Sequence, residues 1–230
     1  MDFVYICRSG NNEELRYSIR SVIDNFPNAK VWVVGGKPDW YIGNYIEVDQ
    51  SLNQYTNAIN NLKAICNSKE IKESFILMND DFFIMEKIKK IKYFYGGLLE
   101  DKITEYKEMV KESSYIVKLS ETNNRLKKYK IEKPIDYELH IPFPMEKNKL
   151  KVILEKDYRF LWRSIYGNIY SVGGSQIKDV KIYNSGGLIK KSFDYENNKT
   201  IFLSTTEESF LKIFEILKEK FPNASKYETN

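Results

Sequence analysis

The chain opens on an apolar run, Phe3-Val4-Tyr5-Ile6, and its pattern predicts a strand over residues 2–7. The turn-prone stretch Arg8-Ser9-Gly10-Asn11-Asn12 follows. Leu15, Ile19, Val22 and Ile23 then recur at spacings of three and four, the signature of an amphipathic helix. That helix is expected to start near Asn12, with Glu13 and Glu14 in its first turn, where the helix dipole favours acids. Phe26-Pro27-Asn28 stops it. Val31-Trp32-Val33-Val34 reads as a second strand closed by Gly35-Gly36, and Tyr45-Ile46-Glu47-Val48 as a short third. Ala58, Ile59, Leu62 and Ile65 give one face of a second helix over about 55–67. Phe75-Ile76-Leu77-Met78 is a fourth strand, and Phe82-Phe83-Ile84-Met85 a returning strand or turn.

Residues 86–130 are rich in lysine, glutamate and tyrosine at helical spacing, which predicts a helical insertion. Pro134, Pro142 and Pro144 bracket a segment expected to be irregular. Helices are expected over 147–156 and 158–170, turns at Gly173-Gly174 and Gly186-Gly187, and a last strand over 200–203. Ser204 or Thr205 should cap a final helix, with Glu207 and Glu208 in its first turn and Phe210, Leu211, Phe214, Ile216 and Leu217 on its apolar side. Strands alternating with helices indicate an α/β fold, a mostly parallel mixed sheet flanked by helices. One domain over 1–230 is expected, with 86–130 inserted. Ligands of such sheets sit beyond the carboxyl ends of the strands. Cys7-Arg8, Gly35-Gly36 and Asn79-Asp80-Asp81 each lie at such an end and should converge on one crevice.

The most telling stretch is Asn79-Asp80-Asp81, two adjacent carboxylates between apolar runs. Carboxylates are costly to bury unless a cation or several donors compensate them. Asp80 and Asp81 are therefore candidate ligands of a hard cation, Mg²⁺ or Mn²⁺, with Asn79 and Asp81 as an alternative pair. His140 is the chain's single histidine, and the flanking prolines would hold its imidazole as a general base must be held. Arginine is scarce beside lysine, and its planar fork suits a diphosphate or a transferring phosphoryl group. Arg8, Arg20 and Arg163 are candidates on that ground. Arg16 and Arg20, four apart, could equally form an exposed face paired with glutamates. Gly35 and Gly36 would let backbone approach a ligand, although no GxGxxG or GxxxxGK pattern follows.

Composition narrows the field. Hydrophobic residues make up 42% and aromatics 14% of the 230 residues, ample for a core. The formal charge is +4, from 36 basic and 32 acidic residues, without the basic stripe of a nucleic-acid binder. Two cysteines in different segments read as free thiols, and no zinc spacing exists. No apolar run approaches the roughly 20 residues of a membrane span, so no transmembrane segment is expected. No leader pattern is read at the start, and a reducing cytoplasm is the default compartment.

Read in order, several blocks resemble the Stealth family of sugar-phosphate transferases. These are Glu14-Leu15-Arg16-Tyr17-Ser18-Ile19-Arg20-Ser21 with Pro38-Asp39-Trp40, Tyr55-Thr56-Asn57-Ala58-Ile59, Phe75 to Phe82, His140-Ile141-Pro142, and Phe160 to Ser164. There are two departures: no separate tryptophan-valine-aspartate block opens the chain, and Ser204-Thr205-Thr206 stands where the family tends to place an asparagine-aspartate pair. The resemblance implies a GT-A-like, Rossmann-like fold and a nucleotide-sugar donor. It implies transfer of a hexose-1-phosphate to the hydroxyl of a glycan or polysaccharide acceptor. Asp80 and Asp81 would hold the metal, His140 would take the acceptor proton, and Arg163 would stabilise phosphoryl charge. Arg8, Gly36 and Asn57 would line the donor pocket. Glycosyl transfer with release of a nucleoside diphosphate, and an inactive nucleotide-sugar or glycan-binding module, remain the alternatives.

Overall fold

The computed structural model describes residues 1–109, 113–182 and 200–229, and the expected Gly186-Gly187 turn lies outside them. In chain order the elements begin with β1 (Asp2–Cys7), α1 (Glu13–Asn25), β2 (Lys30–Gly35), β3 (Asn44–Glu47), α2 (Gln54–Asn67), β4 (Ser74–Met78) and β5 (Phe82–Ile84). Next come β6 (Phe94–Tyr95), β7 (Gly97–Leu98), α3 (Leu99–Met109), α4 (Ser114–Lys128), β8 (Ile135–Asp136), β9 (Phe143–Glu146) and α5 (Lys147–Asp157). The last are α6 (Trp162–Ile169), β10 (Ser175–Gln176), β11 (Lys181–Ile182), β12 (Phe202–Thr205) and α7 (Glu207–Lys220). The chain forms two compact units. The first comprises Met1–Ile91, His140–Lys147 and Val180–Asn230, and the second Lys92–Leu139 and Asn148–Asp179.

A five-stranded sheet, ordered β3-β2-β1-β4-β9, organises the first unit. Pairing is parallel among β3, β2, β1 and β4, and β9 joins β4 antiparallel. Phe3, Val4, Tyr5, Val31, Val33, Val34 and Leu77 are fully buried, as apolar runs covered on both faces should be. Leu15, Ile19 and Val22 of α1 and Leu62 and Ile65 of α2 complete this core. A second sheet, β11-β12-β5, lies in the same unit. Phe83, Met85, Ile182 and Leu203 pack there with Phe210, Ile213 and Leu217 of α7 and with Tyr17.

Four local expectations need correction. The proline-bracketed segment is not wholly irregular, because residues 143–146 form β9. Pro144 is accommodated there because β9 is an edge strand, where a missing N–H disrupts least. The residues after β4 do not return along it; β5 pairs with β12 instead. The expected helix over 158–170 is confined to α6, and α7 is capped by Thr206 through a reciprocal bond pair with Ser209 rather than by Ser204 or Thr205.

In the second unit α3 packs against α4, β7 pairs with β8, and β6 with β10. Asn168 holds α6 to β8, accepting from the Ile135 N–H at 2.8 Å and donating to its carbonyl at 2.7 Å. Lys102 and Asp136 form a buried ion pair at 2.7 Å. The Gly173-Gly174 turn is present, both residues having positive φ. Cys7 and Cys66 are free thiols. Among the described residues no helix is long and apolar enough to cross a membrane.

Candidate active site

The sheet order reverses at β1. Chain continuation through β2 and β3 runs to one side, and β4 falls on the other. Such a switch point leaves a crevice beyond the strand carboxyl ends. β4 ends at Met78, and the chain turns through Asn79, Asp80 and Asp81, closed by the Phe82 N–H donating to the Asn79 carbonyl at 3.3 Å. Because the strand breaks there, both carboxylates reach the same space. A cavity of about 440 Å³ opens at this point, and Arg8, Asn57, Asn79, Asp80, Asp81 and His140 line it. Six of the expected site residues are thus brought together. Glu14, Lys181, Thr205 and Glu207 line it as well.

Sheet register positions the charges. Lys181 lies opposite Ser204, and Ser204 opposite Phe82, so β11, β12 and β5 set Lys181 and Ser204 beside Asp81. Asp81, 7% exposed, accepts from the Ser204 hydroxyl at 2.7 Å and the Lys181 ammonium at 2.9 Å, both on Oδ2. Asp80 Oδ2 accepts from the Asn12 amide at 2.6 Å. Burial, and then the neighbouring Asp81 charge, push the Asp80 carboxyl above its ordinary value. Glu14 accepts from the Thr205 hydroxyl at 2.9 Å. Burial first, then the Asp80 and Asp81 charges, raise its carboxyl to about 7 against the opposing pull of Thr205 and Lys181. Arg8 is ion-paired with Glu207 at the exposed rim.

Asn12 works at two levels. Its Oδ1 caps α1 by accepting from the Leu15 N–H at 2.9 Å, while its amide nitrogen holds Asp80. Asn12→Ala is expected to destabilise the protein by about 1 kcal/mol, the usual effect of losing an N-cap. Denaturant titration of the two proteins measures it. Asn57 binds Ser51 through three bonds, to its N–H, hydroxyl and carbonyl, and so shapes the rim of the cavity. His140 meets the Phe82 ring edge-on, with centroids 6.4 Å apart.

Four expected residues are placed elsewhere. Gly35 and Gly36 support the crevice by close packing and do not line it. A Cβ on Gly35, whose φ is +114°, would stand 2.3 Å from the Cys7 carbonyl, and one on Gly36 would stand 2.3 Å from the Ser9 nitrogen. Arg20 is committed to Glu228, at 2.6 Å from Nη2 and 3.0 Å from Nε, and also donates to the Phe221 carbonyl. Arg163 belongs to the second unit, buried on α6, where Nη1 donates to the Leu139 carbonyl at 2.8 Å.

The expected Mg²⁺ or Mn²⁺ can be tested against the donor set. Among the described residues no three His, Cys, Asp or Glu side chains are grouped to hold a metal ion. Asn12 engages Oδ2 of Asp80, and Asp81 already has a cation, Lys181, on its Oδ2. With Lys181 on Asp81, these residues do not fit a resident divalent ion.

No protein-family model and no curated protein matches the chain. Among solved structures, galactosyltransferase LgtC in complex with donor and acceptor sugar analogues is similar over 98% of this chain and 97% of that one, with 11% identity and a TM-score of 0.51. An active-site mutant of LgtC matches over 76% of this chain and 72% of that one, with 11% identity and a TM-score of 0.41. At such identity the likeness is one of architecture. The chain has the α/β fold of a GT-A glycosyltransferase.

Proposed function

We propose that the protein is a sugar transferase that binds a nucleotide-sugar in the cleft of its first unit and passes part of it to an acceptor hydroxyl. The observation that carries this reading is the position of the charged cavity, at the switch point of a GT-A-type sheet. The LgtC structure, which holds donor and acceptor sugar analogues, supports it through the shared fold. The Stealth-like blocks favour hexose-1-phosphate transfer within that class, with a glycan or polysaccharide hydroxyl as acceptor. The acceptor oxygen forms a bond to the sugar-bearing phosphorus, the bridge between the two phosphorus atoms breaks, and a nucleoside monophosphate leaves. The acceptor proton passes to His140. The carboxyl of Glu14, raised to about 7, is able to exchange a proton near neutrality. Arg8, Asn57 and Asn79 are assigned to the donor. Arg163 receives no step, since its Nη1 serves a backbone carbonyl.

A second reading, favoured by the fold shared with LgtC, is glycosyl transfer. Here the acceptor attacks the anomeric carbon and a nucleoside diphosphate leaves. Product analysis separates the two. The purified protein is incubated with a panel of nucleotide-sugars and glycan acceptors, and the released nucleotide is identified by chromatography. A monophosphate is the expected product. A diphosphate establishes the glycosyl reading in its place, and no release from any donor would sink both.

A further inference from the structure

We infer that Lys181 is the resident cation of the cleft. Its ammonium occupies the charge-compensating position at Asp81 that a divalent ion would need, and it meets the diphosphate of the donor, so that donor binding proceeds without metal. The inference rests on the nucleotide-sugar reading above and deepens it. Asp81 is buried, and a buried carboxylate requires a cation or strong donors. Both are present: Lys181 at 2.9 Å and Ser204 at 2.7 Å converge on one oxygen. The Lys181 side chain is 17% exposed, so its charge is directed into the cavity it lines and is weakly screened. It is placed by sheet register, not by a mobile surface stem: β11 pairs with β12, and β12 with β5, which follows directly on Asp81.

Among the described residues Arg8 also lines the cavity, with its side chain 60% exposed and paired with Glu207. Glu14, Asp80, Asp81 and Glu207 are acidic residues of the same lining. A diphosphate entering this cavity needs a buried positive charge, and Lys181 supplies one. An ammonium carries three donors, of which Asp81 accepts one, and the same group can bridge carboxylate and phosphate as a point charge. A divalent ion on Asp81 would meet that ammonium as a like charge within the same shell. Lysine and metal are therefore alternatives at this position.

Calorimetry on wild type and Lys181→Met provides the test, using Mn²⁺ alone and a panel of nucleoside diphosphates with EDTA or with Mn²⁺. The expected result is diphosphate binding by wild type in EDTA, weakened about tenfold or more in Lys181→Met by loss of a charge-assisted contact. Mn²⁺ alone should bind Lys181→Met about tenfold or more tightly than wild type, because the acidic cluster has lost its internal cation. Diphosphate binding by wild type that appears only with Mn²⁺ overturns the inference and leaves the transferase reading standing. Equal Mn²⁺ affinity in the two proteins overturns it too. No diphosphate binding under either condition overturns the donor reading and this inference together. The wild-type arms decide the question even if Lys181→Met fails to fold.

Discussion

Replacing His140 with alanine is expected to lower transfer about 10²–10⁴-fold, the range contributed by a positioned general base, while donor binding is retained. Imidazole is the side chain suited to move a proton near neutrality, and His140 is the chain's only one. The residue lines the cleft beside the turn that carries Asp80 and Asp81. Its ring is held edge-on against Phe82, whose side chain is fully buried, so its position follows the carboxylate turn. Steady-state kinetics gives the rate, and calorimetry with the donor gives the binding. A rate unchanged in His140→Ala would remove the histidine from the reaction and leave Glu14 as the base, to be checked with Glu14→Gln.

The largest expected effect on stability comes from Glu228. Its side chain, 1% exposed, is held between Arg20 and Arg16 and accepts from the Ser225 N–H at 2.8 Å. Removing one partner of a buried ion pair leaves its counter-charges uncompensated and costs about 3–5 kcal/mol. Glu228→Ala is therefore expected to lower the thermal midpoint by about 10 °C, measured by calorimetric or spectroscopic melting. Burial alone would raise the Glu228 carboxyl, but the bonds from Arg20, Ser225 and Arg16 outweigh it and hold the carboxyl below its ordinary value. The stability it contributes is present above the unfolded carboxyl value of about 4.3 and is lost as pH falls through the lowered folded value. Glu228→Gln should thus flatten the acid limb of the stability curve. An acid limb identical to wild type would contradict this.

How much of this was legible in the sequence depended on distance along the chain. β1, α1 and its Asn12 cap, α2 and β4 follow from local pattern, because each buries one continuous run or one helical stripe. The turn at Asn79-Asp80-Asp81 was legible for the same reason, carboxylates being anomalous between apolar runs. The partners of those carboxylates were not legible. Lys181 reaches Asp81 across 100 residues and Ser204 across 123, through a register between β11, β12 and β5 that no local spacing encodes. Ser204 and Thr205 read as helix caps because a hydroxyl before two glutamates is a sound capping signal. Their side chains instead reach Asp81 and Glu14. Glu14 read as an ordinary first-turn acid, and nothing local shows that Asp80 and Asp81 lie near it. Arg20 was misplaced for the converse reason, since its partner Glu228 is 208 residues away. Pro144 hid β9 because proline is compatible with a strand only at an edge, and edges are set by topology.

The first unit is assembled from three separated stretches of chain, and that has a consequence for how it folds. The β1–β4 pairing can form from residues 2–78 alone. The bonds that fix its flank come much later in the chain: Tyr227 bridges Ala29 and Val31, and Thr229 donates to the Trp40 carbonyl. Contacts of such long sequence separation bear a loop-closure entropy before they return any stabilisation, and they slow folding. The carboxylate turn adjoins β4, whereas the ammonium and hydroxyl that meet Asp81 are carried by β11 and β12. Without β11 and β12, Asp81 would lack both Lys181 and Ser204, whereas Asp80 would keep Asn12.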